Sequence, residues 1–113
     1  MDEFTIQKTF KDWCDKQDFI LEHWHVPNGF KASPLACAMM KKVGLRKGVC
    51  DYWVLLKNGI LAAIEFKTQD GVLSTEQIRF INHLKQCKIP VIVCRSCFEA
   101  TQFIKDLMTI KNG

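Results

Sequence analysis

The sequence predicts an α/β domain in which a mixed β-sheet is flanked by helices. Three observations support this prediction. Helical and strand-like segments alternate along the chain, a hairpin signal joins two apolar runs in its middle, and a continuous apolar run follows the next helix. The chain has 113 residues, of which 48% are hydrophobic and 25% charged, and these values match one globular domain over residues 1–113.

The first half of the chain predicts a helix, a strand and a second helix. Apolar residues recur at helical spacing over residues 3–16, with acidic residues in the first turn. Residues 19–26 are rich in aromatic and branched side chains and stop at the turn signal of residues 27–29, which indicates a strand. Pro34 suits the first turn of a short helix that ends near Gly44.

The second half predicts a hairpin, a helix, a strand and a last helix. The hairpin consists of two runs, residues 50–56 and 60–67, which flank the turn residues 57–59. After it, residues 74–77 have the form of a capping box and precede an apolar stripe at helical spacing. Residues 89–94 indicate a buried strand, parallel to a hairpin strand, and a helix follows it. The full order is αβαββαβα.

Glu65 and Lys67 place a carboxylate and an ammonium on one face of the second hairpin strand, because side chains two residues apart point the same way. Phe66 points into the opposite layer. Hydrolysis of a phosphodiester needs a divalent cation on the phosphate, an activated water and positive charge where negative charge accumulates. The pair fits that chemistry, although the same pattern also occurs by chance on solvated strand faces.

The register of the hairpin decides whether Asp51 joins Glu65. A two-residue turn would place Asp51 opposite Phe66, on the wrong side of the sheet. A three-residue loop pairs Leu56 with Ile60 and Asp51 with Glu65, so that the two carboxylates lie side by side. We therefore predict an odd-length loop or a bulge in the hairpin, with Gly59 in a left-handed conformation.

The charge balance favours a polyanionic partner. The net charge is +4 and the pI is near 8.8. Basic residues also cluster in one part of the chain, for which a solvated surface is the alternative interpretation. The cluster consists of Lys31, Lys41, Lys42, Arg46, Lys47 and Lys57.

The six cysteines could form disulfides in a secreted protein. However, the first 20 residues are rich in charged side chains and lack an apolar signal segment, and no apolar run is long enough to span a membrane. We therefore expect reduced thiols, a cytoplasmic location and no membrane partner. Cys94 and Cys97 could form half of a zinc site, but no second pair has matching spacing, so we expect two buried or half-buried thiols at the end of a strand.

Several motifs resemble those of one nuclease group. Three of them are GLRKGVCD at residues 44–51, IEFKT at 64–68 and GVLSTEQ at 71–77. Together they look like the VRR-NUC (virus-type replication-repair nuclease) group of the PD-(D/E)XK nuclease superfamily. EFTIQ at residues 3–7 is similar to that family's first-helix Glu-x-x-x-Gln, and PNG at 27–29 matches its turn before the second helix. The resemblance covers nearly the whole chain in the right order, with one departure, since Cys50 stands where the family usually has proline.

The resemblance implies a restriction-endonuclease-like core and a metal-dependent nuclease centre. In such a centre, Asp51 and Glu65 would bind Mg²⁺ or Mn²⁺ together with the backbone carbonyl of Phe66. Lys67 would position the attacking water, and Glu3 would approach the same metal from the first helix. Oxygen-only ligation suits these hard cations. The implied catalytic set is Asp51, Glu65, Lys67, Gln77 and Glu3.

Some of these residues have alternative roles. Glu3 could be an ordinary carboxylate at a helix N-terminus, and Gln7 could be a surface polar group rather than a support for the site. Gln77 could cap its own helix, a role that can coexist with one in the site. Asn28 and Gly29 could form the turn rather than contact DNA.

The expected function is hydrolysis of DNA phosphodiester bonds by an endonuclease. A free-standing copy of this domain resembles phage and viral members of the family, which resemble Holliday-junction resolvases in acting as homodimers on branched DNA. The alternatives are a nicking, restriction-type or flap nuclease, and a nucleic-acid-binding module that has lost activity. The residues expected to contact DNA, chiefly its phosphates, are Lys31, Lys41, Lys42, Arg46, Lys47, Asn28 and Gln7.

Overall fold

The computed structural model of the protein describes residues 1–27 and 33–110. In that part of the chain the helices and strands follow the predicted order, and wherever a bound was predicted the observed one differs by no more than two residues. The elements are α1 (Glu3–Cys14), β1 (Ile20–His25), α2 (Pro34–Lys42), β2 (Tyr52–Leu56), β3 (Leu61–Phe66), α3 (Thr75–Gln86), β4 (Val91–Cys94) and α4 (Cys97–Met108). None of these helices is long and apolar enough to cross a lipid bilayer.

Within the described residues, four strands form one mixed sheet in the order β1-β2-β3-β4. The first three are antiparallel neighbours, and β4 lies parallel to β3. Because a parallel pair requires a crossover connection, α3 carries the chain from the end of β3 back to the start of β4. The predicted mixed sheet and its parallel last strand are therefore confirmed.

The hairpin between β2 and β3 has the predicted three-residue loop. Tyr52 pairs with Ile64, and the N–H of Leu56 donates to the carbonyl of Ile60 at 2.8 Å, which leaves residues 57–59 as the loop. Gly59 has a φ of 89°, in the left-handed region that glycine adopts without strain. The hairpin prediction is confirmed, and the same register places residue 51 opposite residue 65.

Helices cover both faces of the sheet. On one face, α1 and α4 bury the rings of Phe10, Tyr52 and Phe66, whose centroids lie 5.4 to 6.3 Å apart. On the other face, α3 packs over Ala63 and its neighbours. Side chains alternate along β3, so Phe66 enters the layer of α1 and α4, as predicted, whereas Glu65 faces the side of α3.

Over residues 1–27 and 33–110 the cysteines carry thiols and form no disulfide, and four of them contribute to the two core layers. Cys94 is buried at the end of β4 and Cys97 is half-buried at the start of α4, as predicted. Cys50, which replaces the family's usual proline, is buried in the layer of α3. Its carbonyl accepts a hydrogen bond from the indole of Trp53 at 3.2 Å, so it contributes to the local shape of the entry into β2.

Candidate active site

Asp51 and Glu65 lie side by side, just before β2 and near the end of β3, and both are buried, with 9% and 1% of their surface exposed. The N–H of Phe66 donates to Asp51 Oδ2 at 2.9 Å. Backbone N–H groups of successive strand residues point to opposite neighbouring strands. Because the N–H of Lys67 donates to the carbonyl of Cys94 on β4, the N–H of Phe66 points towards β2. There it meets the Asp51 carboxylate rather than a backbone carbonyl. This bond fixes the orientation of the Asp51 carboxylate.

Glu65 is the more deeply buried acid, and its two oxygens differ. Oε2 accepts a hydrogen bond from Gln77 Nε2 at 3.1 Å, whereas the buried Oε1 has no hydrogen-bond partner among the described residues. Burial raises the pKa of Glu65 well above its usual range, and the charge of Asp51 and a hydrogen bond with Asp51 raise it further. The charge of Lys67 opposes this shift. When both acids are ionised, a cation beside them relieves their repulsion.

Lys67 and Glu3 contribute charge to this pair. Lys67 is half-buried, and its ammonium lowers the pKa of Glu65, whereas Glu3, at the first position of α1, adds a small upward shift. Over residues 1–27 and 33–110, no three side chains of His, Cys, Asp or Glu are grouped closely enough to hold one ion. The structure thus brings two carboxylates together. Ligation by Glu3 and by the carbonyl of Phe66 stays a prediction.

Gln77 combines the two roles that the sequence left open. Its backbone N–H donates to Ser74 Oγ at 3.1 Å, and its side-chain Oε1 accepts from the N–H of Ser74 at 2.8 Å, which completes a capping box. Its Nε2 then donates to Glu65. Capping of α3 therefore orients the amide that holds Glu65.

Gly48 allows the start of α3 to approach the loop before β2. It has a φ of 89°, and a Cβ there would lie 2.6 Å from both the carbonyl carbon and the carbonyl oxygen of Glu76. No side chain fits into that contact. Because Glu76 precedes Gln77, the close approach at Gly48 helps to set where Gln77 meets Glu65.

Four of the predicted DNA-binding basic residues lie on the surface, and one of them directly precedes Gly48, which touches Glu76. Lys41 and Lys42 are exposed in the last turn of α2, and Arg46 and Lys47 are exposed in the loop that follows. Lys47 is adjacent in sequence to Gly48, which touches the start of α3. These four side chains are thus available to a phosphate backbone, and their contacts with DNA stay predictions.

Gln7, another predicted DNA contact, lies on α1. It is half-buried on α1, one turn after Glu3, and it lines a groove of about 570 Å³ together with residues of α1, β1 and β2 that include His25. Its contact with DNA stays a prediction. The predicted contacts of Asn28 and Lys31 fall outside the described residues.

Arg95, which the sequence did not single out, holds the loop after β3. Its Nη1 donates to the carbonyls of Thr68, Gln69 and Gly71. One guanidinium therefore binds three backbone carbonyls of the segment that connects Lys67 to α3. Its partners are backbone atoms 24 to 27 residues away, so no local sequence pattern indicates this role.

Comparisons with known proteins agree with this fold. A solved structure described as a VRR_NUC domain protein superposes with a TM-score of 0.80, covering 99% of this chain and 92% of that chain at 17% identity. A second, described as a VRR_NUC domain, gives a TM-score of 0.63, covering 91% of this chain and 94% of that one at 19% identity. At these identities the likeness establishes a shared fold. No curated protein matches the chain significantly.

The family itself is identified by sequence. The family model of the VRR-NUC domain matches residues 3–98, a span that contains both carboxylates, Lys67, Gln77 and Arg95. That span is most of the chain, and the two structural neighbours carry the same family description. The chain belongs to the VRR-NUC family, and it is a nuclease-type domain.

Proposed function

We propose that the protein is a Mg²⁺- or Mn²⁺-dependent deoxyribonuclease that hydrolyses phosphodiester bonds with Asp51, Glu65 and Lys67. One observation carries the proposal. Two buried carboxylates adjoin, and Glu65 Oε1 has no hydrogen-bond partner among the described residues. A buried polar group left unsatisfied costs about 1 to 3 kcal/mol, and more when charged, so a missing ligand explains this arrangement better than stability does.

The residues present fit a hard divalent cation. The donor set contains oxygen atoms only. It consists of the carboxylates of Asp51 and Glu65, and further candidates are the carbonyl of Phe66 and the carboxylate of Glu3. Bound there, Mg²⁺ or Mn²⁺ would polarise a phosphate and activate water for attack. The N–H of Phe66 and the amide of Gln77 are neutral donors that hold the two acids in place. Both acids therefore keep their affinity for a cation.

Lys67 supplies the positive charge of the reaction. It follows Glu65 by two residues on the same strand face, and its charge already acts on Glu65. In the proposed reaction its ammonium orients the attacking water and stabilises negative charge that develops on the phosphate. A point charge on a flexible stem suits this role when the surrounding backbone limits its motion.

The proposed substrate is branched DNA, such as a four-way junction, cut by a homodimer in the cytoplasm. The exposed basic residues Lys41, Lys42, Arg46 and Lys47 support a polyanionic ligand, and membership of the VRR-NUC family supports DNA as that ligand. Symmetric cleavage of a four-way junction requires two active sites, which a homodimer provides. Binding through phosphates implies an affinity that falls steeply as salt rises.

A cleavage assay tests the proposal. Purified protein is incubated with four-way junction, flap, single-stranded and linear duplex DNA, with Mg²⁺, with Mn²⁺ or with a chelator. We expect divalent-dependent, paired symmetric cuts in the junction, and no cuts by Asp51→Asn. Cuts confined to flap or linear DNA would replace junction specificity with one of the other nuclease types. Junction binding without divalent-stimulated cleavage would show a binding module instead.

A further inference from the structure

We propose that Arg95 is a positioning residue for Lys67, acting through the turn formed by residues 68–71. The proposal rests on the nuclease function proposed above. Arg95 directly follows β4, whose last residue pairs with the last residue of β3, so it stands beside the point where the chain leaves the candidate active site. It is half-buried there.

The guanidinium of Arg95 organises the 68–71 turn. The N–H of Gly71 donates to the carbonyl of Thr68 at 3.1 Å, which closes the turn. Arg95 Nη1 donates to the same Thr68 carbonyl, to Gln69 at 3.2 Å and to Gly71 at 2.8 Å. Within residues 1–27 and 33–110 the guanidinium forms no ion pair. Hydrogen bonds from a charged donor are stronger than neutral ones, so the two hydrogens of Nη1, shared among these three carbonyls, tie the turn to Arg95.

The 68–71 turn in turn supports the side chain of Lys67. A Cβ built on Gly71 would lie 3.4 Å from Lys67 Cδ and 3.1 Å from Thr68 Oγ1, so the turn backbone lies against the aliphatic stem of the lysine. The backbone of Lys67 is fixed separately, because its N–H donates to the carbonyl of Cys94 at 2.9 Å. The ammonium can then move only through rotations of the aliphatic stem, and the 68–71 turn restricts those rotations on one side.

Loss of Arg95 should therefore act on rate rather than on binding. Without the guanidinium the 68–71 turn loses three bonds, and the Lys67 ammonium samples more positions relative to the phosphate. Asp51 and Glu65 are held by other contacts, to the N–H of Phe66 and to Gln77. Divalent-cation affinity and DNA affinity should consequently change little, whereas kcat falls.

A double-mutant cycle tests this coupling. Single-turnover cleavage with enzyme in excess is measured for wild type, Arg95→Gln, Lys67→Ala and the double variant, so that residual activity stays measurable. We expect Arg95→Gln to slow cleavage about tenfold in the wild-type background and less than about twofold in the Lys67→Ala background. Arg95→Lys should recover part of the rate, because an ammonium keeps the positive charge and has three N–H donors for the turn carbonyls. Lys105→Gln, which removes an exposed charge at the other end of α4, is the matched control.

Gly71→Ala provides a second test that keeps the guanidinium. The added methyl would press on Thr68 and touch the stem of Lys67, so the turn would shift against the lysine and this variant should also slow the wild type and not Lys67→Ala. Equal fold-losses from Arg95→Gln or Gly71→Ala in both backgrounds would overturn the positioning role, since an effect through global stability does not depend on Lys67. A wild type without divalent-stimulated cleavage would instead overturn the nuclease function on which the proposal rests.

Discussion

Gln77 Nε2 lies 3.1 Å from Glu65 Oε2, so the residue that completes the cap of α3 also holds the most deeply buried acid of the candidate site. The other end of the same amide accepts the N–H of Ser74. Helix capping and site geometry are therefore coupled in one side chain, and the two contributions can be separated by substitution.

Ser74→Ala and Gln77→Ala should both lower stability and should differ in cleavage. Each removes part of the capping box, which should lower the free energy of unfolding by about 1 kcal/mol, and Gln77→Ala should lower it further because a buried oxygen of Glu65 loses its donor. Gln77→Ala also removes the donor to Glu65, so its cleavage rate should fall by about tenfold while that of Ser74→Ala stays near wild type. Denaturant unfolding and single-turnover kinetics measure the two effects. Equal rates in the two variants would show that Gln77 acts as a cap alone.

Glu65→Gln should stabilise the metal-free protein above neutral pH. Burial and Asp51 raise the pKa of Glu65, so between the usual glutamate pKa and the raised one the folded state holds more protons than the unfolded chain. The wild type must then lose stability as pH rises through that window. Removing the titrating group removes that loss, which we expect to be about 1 to 3 kcal/mol.

Thermal unfolding in a chelator, from about pH 5 to about pH 9, checks this pH dependence. The wild-type midpoint should decline relative to that of Glu65→Gln as pH rises, and added Mg²⁺ should raise the wild-type midpoint alone. Parallel curves for the two proteins would show that Glu65 is not destabilised by its surroundings.

Lys67→Ala should reduce cleavage about 100- to 1000-fold, the usual effect of removing one donor that stabilises developing charge. DNA affinity should change by less than about twofold, because the loss concerns the transition state and not phosphate contacts in the ground state. Lys105→Ala, at an exposed position in the last turn of α4, is the matched control and should cleave like wild type. Filter binding and cleavage, measured on the same protein samples, distinguish a catalytic role from a binding role. A parallel loss of both would make Lys67 a binding residue.

Gly48→Ala should damage the protein far more than Gly44→Ala. Both glycines have positive φ, 89° and 107°, so each substitution carries backbone strain of about 1 to 2 kcal/mol. A Cβ at Gly44 meets no atom within 4 Å, whereas one at Gly48 collides with the backbone of Glu76. We therefore expect an additional loss of about 1 to 3 kcal/mol in Gly48→Ala, with slower cleavage as the start of α3 shifts. Equal losses in denaturant unfolding would mean that the loop relaxes freely.

The hairpin was predictable from sequence because two local rules agree on it. Side chains alternate with a period of two, and Gly59 permits the left-handed residue that a three-residue loop needs. Together they fix Asp51 opposite Glu65. The capping role of Gln77 was accessible in the same way, since a capping box is defined by residues three positions apart, whereas its place near the site came from the family resemblance.

The contacts that complete the site depend on tertiary structure. Asp51 accepts the N–H of Phe66 because regular strand structure in β2 begins only at Tyr52, a break that alternation does not indicate. Arg95 reaches backbone carbonyls, which look alike in any sequence. The sequence showed Gly48 as part of a family motif but not its contact with Glu76, because that contact forms only when α3 packs on the loop before β2.

The central claim is that Asp51 and Glu65 hold a divalent cation, and anomalous diffraction from crystals soaked with Mn²⁺ tests it most directly. We predict an anomalous peak within about 2.5 Å of carboxylate oxygens of both residues in the wild type, and none in Glu65→Gln crystals soaked in the same way. A wild-type crystal with no peak between these acids, or with a peak that persists in Glu65→Gln, would contradict the account.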